Sequence, residues 1–381
     1  MQKKVLGLVS VLLLVAVHGV FAAPLRLGFI NSMTGKEAQI GENLTHGAEL
    51  AVDDLKARGI QVELLMEDDG GNPATSLAAF EKLVTRDRVI GVVGPYTSGC
   101  ANVVASRADR YQVPLLVPVA SKEEITMKGY RYVFRLNAPA NVYSQVLLDA
   151  VRQYKPKTIA YVYAATDFGA STVATARENA ARMGLRVVAS EKYQQGQPDY
   201  RSLLTKVKAA SPDLVFLVSY DADAILLMRQ AREIGLTPKA FLGAGAGYTT
   251  AQFAEQQEIA NLVISATQWT GDVDWPGAAD FARRYAVRFG KVPSYHAACA
   301  YEAVRIMAQT ASRASAPSRL RDSLKGGRWN GILGLVSFGD FGNFTNQNQH
   351  QMLVQQVQNG RYETVYPAQF SKKRLLYPFR R

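Results

Sequence analysis

The chain is short of cysteine and histidine, and beyond its N-terminus it has no long apolar run. Its 381 residues include only 2 Cys and 4 His. A miniprotein held together by disulfides is therefore excluded, and no set of these residues has the spacing of a zinc site. The lack of further membrane-length apolar runs excludes a polytopic membrane protein. With 48% hydrophobic and 20% charged residues, the composition is typical of a globular protein with more than one domain.

The N-terminus has the layout of a secretory signal peptide. Two lysines precede an apolar stretch from Val5 to Val17, and the small residues Ala22 and Ala23 offer a cleavage point. We predict a signal peptide over residues 1–22. The alternative is an uncleaved anchor, for which the apolar stretch is short. No cysteine follows the cleavage region, so we expect an exported, soluble mature protein without a lipid anchor.

The formal net charge of +12 raises the question of anionic partners. The positive charges are scattered, except for a cluster in residues 371–381 that we interpret as a solvated end. No nucleic-acid-binding motif accompanies it, so no nucleic acid partner is expected. Cys100 and Cys299 would enter an oxidising compartment after export and could form a disulfide, but the sequence alone does not bring them together.

Apolar strands alternate with amphipathic helices along the mature chain. A first series runs from the strand at 25–30 to the segment 132–137, and a second runs from the helix at 142–153 to the strand at 262–266. The strands are almost continuously apolar, as is typical of parallel strands covered on both faces. The pattern predicts an α/β fold with two doubly wound parallel-sheet lobes. The later elements are too few for a third domain, so we expect them to complete the two lobes.

Ligands of open α/β sheets bind beyond the carboxyl ends of the strands. The segment 95–100 follows one such strand and contains Tyr96, Thr97 and Ser98 at the start of a helix. Hydroxyls and backbone N–H groups at this point can bind a carboxylate or another anion. The alternative is that Thr97 or Ser98 only caps the helix.

Other strand ends carry similar candidates. Ser121 follows the next strand and either faces a ligand or forms a capping box with Glu124. In the second series, Tyr220 and Phe168 stand at strand tips, and Asp221 or Asp223 is interpreted as a helix cap.

Signals of catalysis are weak. The run 243–247 is rich in glycine, but no Lys-Ser/Thr pair follows it, so a nucleotide site is not predicted. We find no Ser/His/Asp set, acid–base carboxylate pair or metal-ligand cluster with supporting context. An enzyme, a metal site and a bound cofactor are therefore not expected.

Several short segments are informative through their order and spacing. They are Leu27–Gly35, Gly41–Asp54, Glu67–Pro73, Gly91–Pro95, Val113–Pro118, Tyr132–Arg135 and Arg229–Leu236. Together they make the whole mature chain resemble the type I periplasmic binding proteins, specifically the branched-chain-amino-acid (Leu/Ile/Val-binding) family of ABC-transporter receptors. The resemblance implies a monomeric periplasmic protein whose two lobes, joined by three hinge strands, close over a small ligand and then dock on an inner-membrane ABC permease. It places residues 24–138 and 268–333 in the first lobe, and 139–267 and 334–381 in the second.

The resemblance also implies a binding site. By their match to the family, Ser98 and Ser121 bind a ligand's α-carboxylate and α-amine, with the backbone of Val119 and Ala120 beside them. Tyr220 and Phe168 match an aromatic wall. The remaining expected contacts are Tyr96, Asp221 and Tyr295, with His296 as the alternative to Tyr295.

One position departs from the family pattern. Amino-acid-binding members carry an acidic residue that pairs with the ligand ammonium, and the matching residue here is Gly245. A buried ammonium without a partner would be costly. Either Asp221 or another carboxylate replaces the acid, or the ligand lacks an α-amine. Ile40 stands where the family has an aromatic residue, which also changes the pocket.

We compare three candidate functions for the protein. The first is a transport receptor for an amino acid or a related carboxylate or amide. The second is a sensor that reports the ligand to a membrane signalling protein or regulator. The third, an exported enzyme, lacks any supporting constellation of residues.

Overall fold

The computed structural model describes residues 24–314 and 316–379. The predicted signal peptide and the last two arginines of the basic cluster lie outside these residues. The strands are β1 Leu25–Asn31, β2 Val62–Asp68, β3 Val92–Val93, β4 Leu115–Val117, β5 Val133–Arg135, β6 Thr158–Ala164, β7 Arg186–Tyr193, β8 Leu214–Val218, β9 Ala240–Gly243, β10 Ile264–Thr267, β11 Arg328–Gly331, β12 Gly334–Phe341, β13 Phe344–Asn348, β14 Leu353–Gln358 and β15 Arg361–Tyr366. The helices are α1 Ala38–Ala57, α2 Pro73–Thr85, α3 Ser98–Tyr111, α4 Glu124–Met127, α5 Ala140–Val151, α6 Asp167–Arg182, α7 Arg201–Ala209, α8 Asp221–Glu233, α9 Ala251–Glu255, α10 Gln257–Ala260, α11 Ala278–Phe289, α12 Tyr295–Ala311 and α13 Pro317–Gly326.

Two sheets organise these elements. The first has the order β11-β12-β13-β5-β4-β3-β1-β2, and the second has the order β15-β14-β10-β9-β8-β6-β7. Strands β1 to β5 pair in parallel in the first sheet, as do β6 to β10 in the second. The late strands add antiparallel pairs at one edge of each sheet. The predicted two-lobed α/β fold is confirmed.

The chain passes between the sheets three times, after β5, after β10 and after β13. The predicted boundary at residue 334 is wrong, because β12 and β13 belong to the first sheet. The physical reason is a tight hairpin in which Gly331 of β11 pairs with Gly334 of β12, which keeps β12 beside β11. The third crossing therefore follows Asn348 instead of preceding Gly334.

Helices α1 and α12 pack closely in the first lobe. At Gly47 of α1, a β carbon would lie 2.1 Å from the carbonyl oxygen of Ala297 in α12. The absence of a side chain therefore allows the two helix backbones to touch. The contact fixes the start of α12, which faces the cleft between the lobes.

Both cysteines are buried and unpaired. Burial raises the pKa of the Cys100 thiol to about 12, so this thiol stays protonated. Lys372, Lys373 and Arg374 of the basic C-terminal cluster are exposed, whereas Tyr377 beyond them stacks on Tyr154 with ring centroids 4.2 Å apart. The ring centroid of Phe379 lies 4.1 Å from Cζ of the Arg232 guanidinium. Within the described residues, no helix has the length and apolarity needed to cross a bilayer.

Candidate functional site

A small cavity lies between the lobes, and eight of the nine predicted site residues line it. We call it the inner chamber. Its lining consists of Tyr96, Ser98, Val119, Ala120, Ser121, Tyr143, Phe168, Tyr220, Ala246 and Tyr295. None of these described residues carries a charged side chain. The chamber is therefore polar through hydroxyls and backbone groups alone.

At the start of α3, one residue caps the helix and its neighbour lines the inner chamber. Thr97 is the N-cap residue, and its hydroxyl accepts a hydrogen bond from the N–H of Cys100 at 3.3 Å. The neighbouring Ser98 hydroxyl accepts a hydrogen bond from the N–H of Lys122, also at 3.3 Å, and lines the inner chamber. Because Thr97 caps the helix, the Ser98 hydroxyl remains available to a ligand.

The Ser121 side chain is buried at the inner chamber. It is 2% exposed, and its hydroxyl forms no hydrogen bond within the described residues. The predicted capping box is absent, since α4 begins after Glu123 and has no side-chain cap. A buried hydroxyl without a partner carries a free-energy cost of roughly 1–3 kcal/mol. In the inner chamber a ligand can remove that cost.

Aromatic rings form the walls. Tyr220 meets Tyr96 edge-on at 6.0 Å between centroids, and it lies 5.7 Å from Phe168. In the part of the chain that the structure describes, the buried Tyr96 hydroxyl has no hydrogen-bond partner. Burial raises the pKa of Tyr96 and Tyr220 well above the ordinary value, so both hydroxyls remain neutral hydrogen-bond donors at physiological pH.

Of the two alternatives at the start of α12, Tyr295 lines the chamber. Its hydroxyl accepts a hydrogen bond at 3.3 Å from the N–H of Ala246, which belongs to the second lobe. His296 lies behind it and meets Tyr96 edge-on at 5.7 Å. Burial lowers the pKa of His296 to about 3, so the ring is neutral. Tyr295 thus bridges the two lobes beside the cavity.

Four long helices begin at the chamber. Ser98 is the first residue of α3 and Tyr295 the first residue of α12, while Tyr220 caps α8 and Phe168 is the second residue of α6. Each helix N-terminus carries a partial positive charge and unpaired N–H groups. Four such ends around a cavity without acidic lining favour an anion there.

Asp221 is the predicted residue that does not line the chamber. Its Oδ1 accepts a hydrogen bond from the Thr250 hydroxyl at 2.8 Å, which directs the carboxylate into the second lobe. It also does not cap α8, because Tyr220 occupies the N-cap position without a side-chain bond. Both predicted roles of Asp221 are therefore wrong, since a long-range partner outweighs the local cap.

The burial of Asp221 has a testable consequence for stability. Burial raises the pKa of this carboxyl to about 7, against about 3.9 in the unfolded chain. Between these values the folded state binds more protons than the unfolded state, so the stability falls as the pH rises from 4 to 7. We expect Asp221→Asn to be more stable than the parent by on the order of 2 kcal/mol at pH 8.

Urea unfolding of both proteins from pH 4 to pH 8 measures this difference. The gap between the two free energies of unfolding should narrow towards pH 4, where Asp221 is protonated in the folded state and about half protonated in the unfolded chain. Parallel pH curves for parent and variant would contradict the assignment.

Gly245 lies where an acidic side chain has no room. Its φ of 76° is in the left-handed region, and a β carbon would lie 2.8 Å from Cε1 of Tyr143. The Tyr143 ring therefore occupies the space that a longer residue at 245 would need.

Sequence reasoning missed Tyr143 and Ala246 as lining residues. Tyr143 lies on the apolar face of α5, where an aromatic residue is usually part of the core. Its hydroxyl accepts a hydrogen bond from Gln268 at 2.5 Å and one from Asn137 at 2.9 Å. Asn137 follows β5 and Gln268 follows β10, so Tyr143 connects the chamber to two of the three crossings. His350, in the third, contacts the carbonyl oxygen of Gln268 at 2.6 Å.

Direct contacts hold the lobes together at the cleft. Lys122 forms an ion pair with Asp167 at 2.8 Å, and Lys36 donates to the carbonyl oxygen of Gln195 at 2.9 Å. The described residues contain no group of three or more His, Cys, Asp or Glu that could hold a metal ion.

Comparison with known proteins gives a consistent result. The family described as "Periplasmic binding protein" matches residues 24–361. The Leu/Ile/Val-binding protein homolog 7 of Brucella suis is 27% identical, over 96% of this chain and 97% of its own. The crystal structure of the branched-chain amino acid transporter substrate-binding protein LivJ from Streptococcus pneumoniae, in complex with isoleucine, has a TM-score of 0.81. It is 26% identical and covers 90% of this chain and 100% of its own.

A second solved structure shares the fold with a different ligand. It is a solute-binding protein of an ABC transporter from Rhodopseudomonas palustris in complex with 3,4-dihydroxybenzoic acid, with a TM-score of 0.82 and 20% identity. It covers 93% of this chain and 98% of its own. Members of this family are substrate-binding proteins and not enzymes. By its sequence and by its two lobes, the chain belongs to the periplasmic binding proteins of ABC-transporter type.

Proposed function

We propose that the protein captures a small organic carboxylate without an α-ammonium group and delivers it to an ABC permease. The observation that supports this most strongly is the pair of buried, unpartnered hydroxyls of Tyr96 and Ser121 in the inner chamber. A carboxylate accepts hydrogen bonds from both, and the four helix N-termini favour its charge. Bonds to a charged group contribute roughly 1.5–3 kcal/mol each.

The same chamber disfavours an ammonium group. None of its ten lining residues is acidic, Gly245 replaces the expected acid, and Asp221 faces elsewhere. An ammonium beside four helix N-termini would be desolvated next to partial positive charges. The two solved relatives bind isoleucine and 3,4-dihydroxybenzoic acid respectively, so this fold accommodates carboxylates with and without an amine.

Ligand binding would stabilise the closed arrangement. Ser98, Ser121 and Tyr295 come from the first lobe, whereas Phe168 and Tyr220 come from the second. A ligand that contacts both sets does so only when the lobes meet, and it therefore shifts the population towards the closed state.

A thermal-shift comparison tests the ligand class, because a ligand of the folded state raises the apparent stability. We would use isoleucine, its deaminated analogue 3-methylpentanoate, benzoate and 3,4-dihydroxybenzoate. We expect at least one amine-free acid to raise the melting temperature more than isoleucine does. A clear preference for isoleucine over all three acids would contradict the proposal.

Export and delivery belong to the same proposal, and family membership together with the predicted signal peptide supports them. Purified protein loaded with the selected acid should stimulate ATP hydrolysis by the permease encoded beside it, reconstituted in proteoliposomes. Stimulation of a signalling protein in place of the permease would favour the sensor.

A further inference from the structure

A second cavity adjoins the inner chamber. We call it the outer chamber, and its volume of about 280 Å³ is near the lower end for small-molecule sites, about 300–1,000 Å³. It is lined by Glu37, Gly71, Pro73, Thr97, Gly99, Val103, Thr166, Asp167, Phe168, Gln195 and Tyr220. Phe168 and Tyr220 line both chambers. A ligand that lies along these two rings therefore reaches from one chamber into the other.

Glu37 is the distinctive side chain of the outer chamber. It precedes α1, but its side chain does not cap that helix. The residue is only 8% exposed, and burial raises the pKa of its carboxyl. Oε1 accepts a hydrogen bond from Nε2 of Gln195 at 2.9 Å. Oε2 lies against the backbone of Gly71, where a β carbon would come within 2.5 Å of it.

The other charged groups at this place have partners. Asp167 forms its ion pair with Lys122, and the Lys36 ammonium donates to the carbonyl oxygen of Gln195. Within the described residues, Glu37 forms no ion pair, and the one side chain that donates a hydrogen bond to its carboxylate is the neutral amide of Gln195. A buried carboxylate that is held in place but incompletely bonded is costly unless a further donor reaches it.

We propose that Glu37 is a specificity-determining residue that accepts a hydrogen bond from a donor group at the far end of the ligand. This inference rests on the proposed function, since it assumes that the carboxylate of the ligand lies in the inner chamber. The ligand class is then a carboxylate with a distal donor, which is a hydroxyl or an ammonium group. Each carries N–H or O–H groups from which a carboxylate accepts hydrogen bonds.

Matched pairs of acids test the assignment by calorimetric titration. Benzoate is compared with 4-hydroxybenzoate and with 4-(aminomethyl)benzoate, and hexanoate is compared with 6-aminohexanoate. In the parent protein, we expect the donor-bearing member of at least one pair to bind at least tenfold more tightly. The hydroxyl and ammonium arms distinguish the two kinds of donor.

Glu37→Gln keeps the shape of the side chain and can still accept the bond from Gln195. We expect this variant to bind the donor-bearing acid less than threefold more tightly than the donor-free acid of the same pair. Its affinity for the donor-free acid should change less than twofold. Lys36→Ala is the matched control, because it removes the adjacent link between the lobes but retains the carboxylate, and it should keep the preference.

Two results would overturn the inference. One is an equal affinity for both members of every pair in the parent protein, and the other is a preference that survives in Glu37→Gln. Either result, with the donor-free acids still bound, leaves the proposed function intact. If no acid of the panel binds, both the proposed function and this inference fail.

Discussion

Replacing Gly47 with alanine is expected to lower the melting temperature by about 5–10 °C, the largest effect on stability that we predict for a single methyl group. The new β carbon would lie 2.1 Å from the carbonyl oxygen of Ala297 and 2.8 Å from its carbonyl carbon. Both atoms are backbone, so the overlap is relieved only by moving α1 and α12 apart. We estimate a cost of about 3 kcal/mol. Because α12 begins at Tyr295, the affinity of the inner chamber should fall as well.

Gly326→Ala provides the matched control. Gly326 is the last residue of α13, and nothing lies within 4 Å of the position that its β carbon would take. Alanine favours the helix by up to about 1 kcal/mol, so this variant should melt at or above the parent temperature. Differential scanning calorimetry of the three proteins measures the comparison. If Gly47→Ala melted with the parent, the close contact between the helices would be refuted.

The double variant Ser98→Ala/Ser121→Ala is expected to lose more than a hundredfold in affinity for the acid selected by the thermal-shift comparison. Each hydroxyl contributes roughly 1.5–3 kcal/mol to a bound carboxylate, so the pair amounts to about 3 kcal/mol or more. The stability without ligand should hardly change. Within the described residues, the Ser121 hydroxyl has no hydrogen-bond partner, and the Ser98 hydroxyl accepts one long bond from the N–H of Lys122.

The control for this pair is Ser76→Ala/Ser265→Ala. Both of these hydroxyls are also buried and without a partner within the described residues, but neither lines a chamber. The control should bind the acid as the parent does. Titration calorimetry gives Kd for each protein, and an undiminished affinity in Ser98→Ala/Ser121→Ala would remove both serines from the site.

The sequence predicted the sheet edge at which the chambers lie. Ser98 and Ser121 follow β3 and β4, and Tyr220 follows β8. The carboxyl ends of parallel strands meet at one edge, so residues that are distant along the chain come together. This rule needs only the order of strands and helices, which the apolar pattern supplies. For the same reason the sequence predicts that Phe168, which follows β6, lies at the cleft.

The other features of the site depend on contacts between residues far apart in the sequence, which no local sequence pattern predicts. Tyr143 and Ala246 line the chamber because of how the two lobes meet. Asp221 is expected at the site because a carboxylate there would replace the acid missing at Gly245, yet at the start of a helix consecutive side chains point in different directions. Its neighbour Asp223, another candidate cap, accepts its bonds instead from the Tyr200 hydroxyl and the N–H of Gly196. Long-range partners outweighed local capping in both cases.

The three crossings between the sheets determine the order in which the protein can be completed during synthesis. The first sheet lacks its last strands until residue 348 has been made, and the second lacks its own until residue 366. Neither lobe is therefore a continuous stretch that could fold fully while the other is still emerging from the ribosome. In a chain of this topology, both sheets therefore remain incomplete until almost the whole length has been synthesised. Simple truncation at residue 138 or 267 would yield fragments with open sheet edges, which are prone to aggregate.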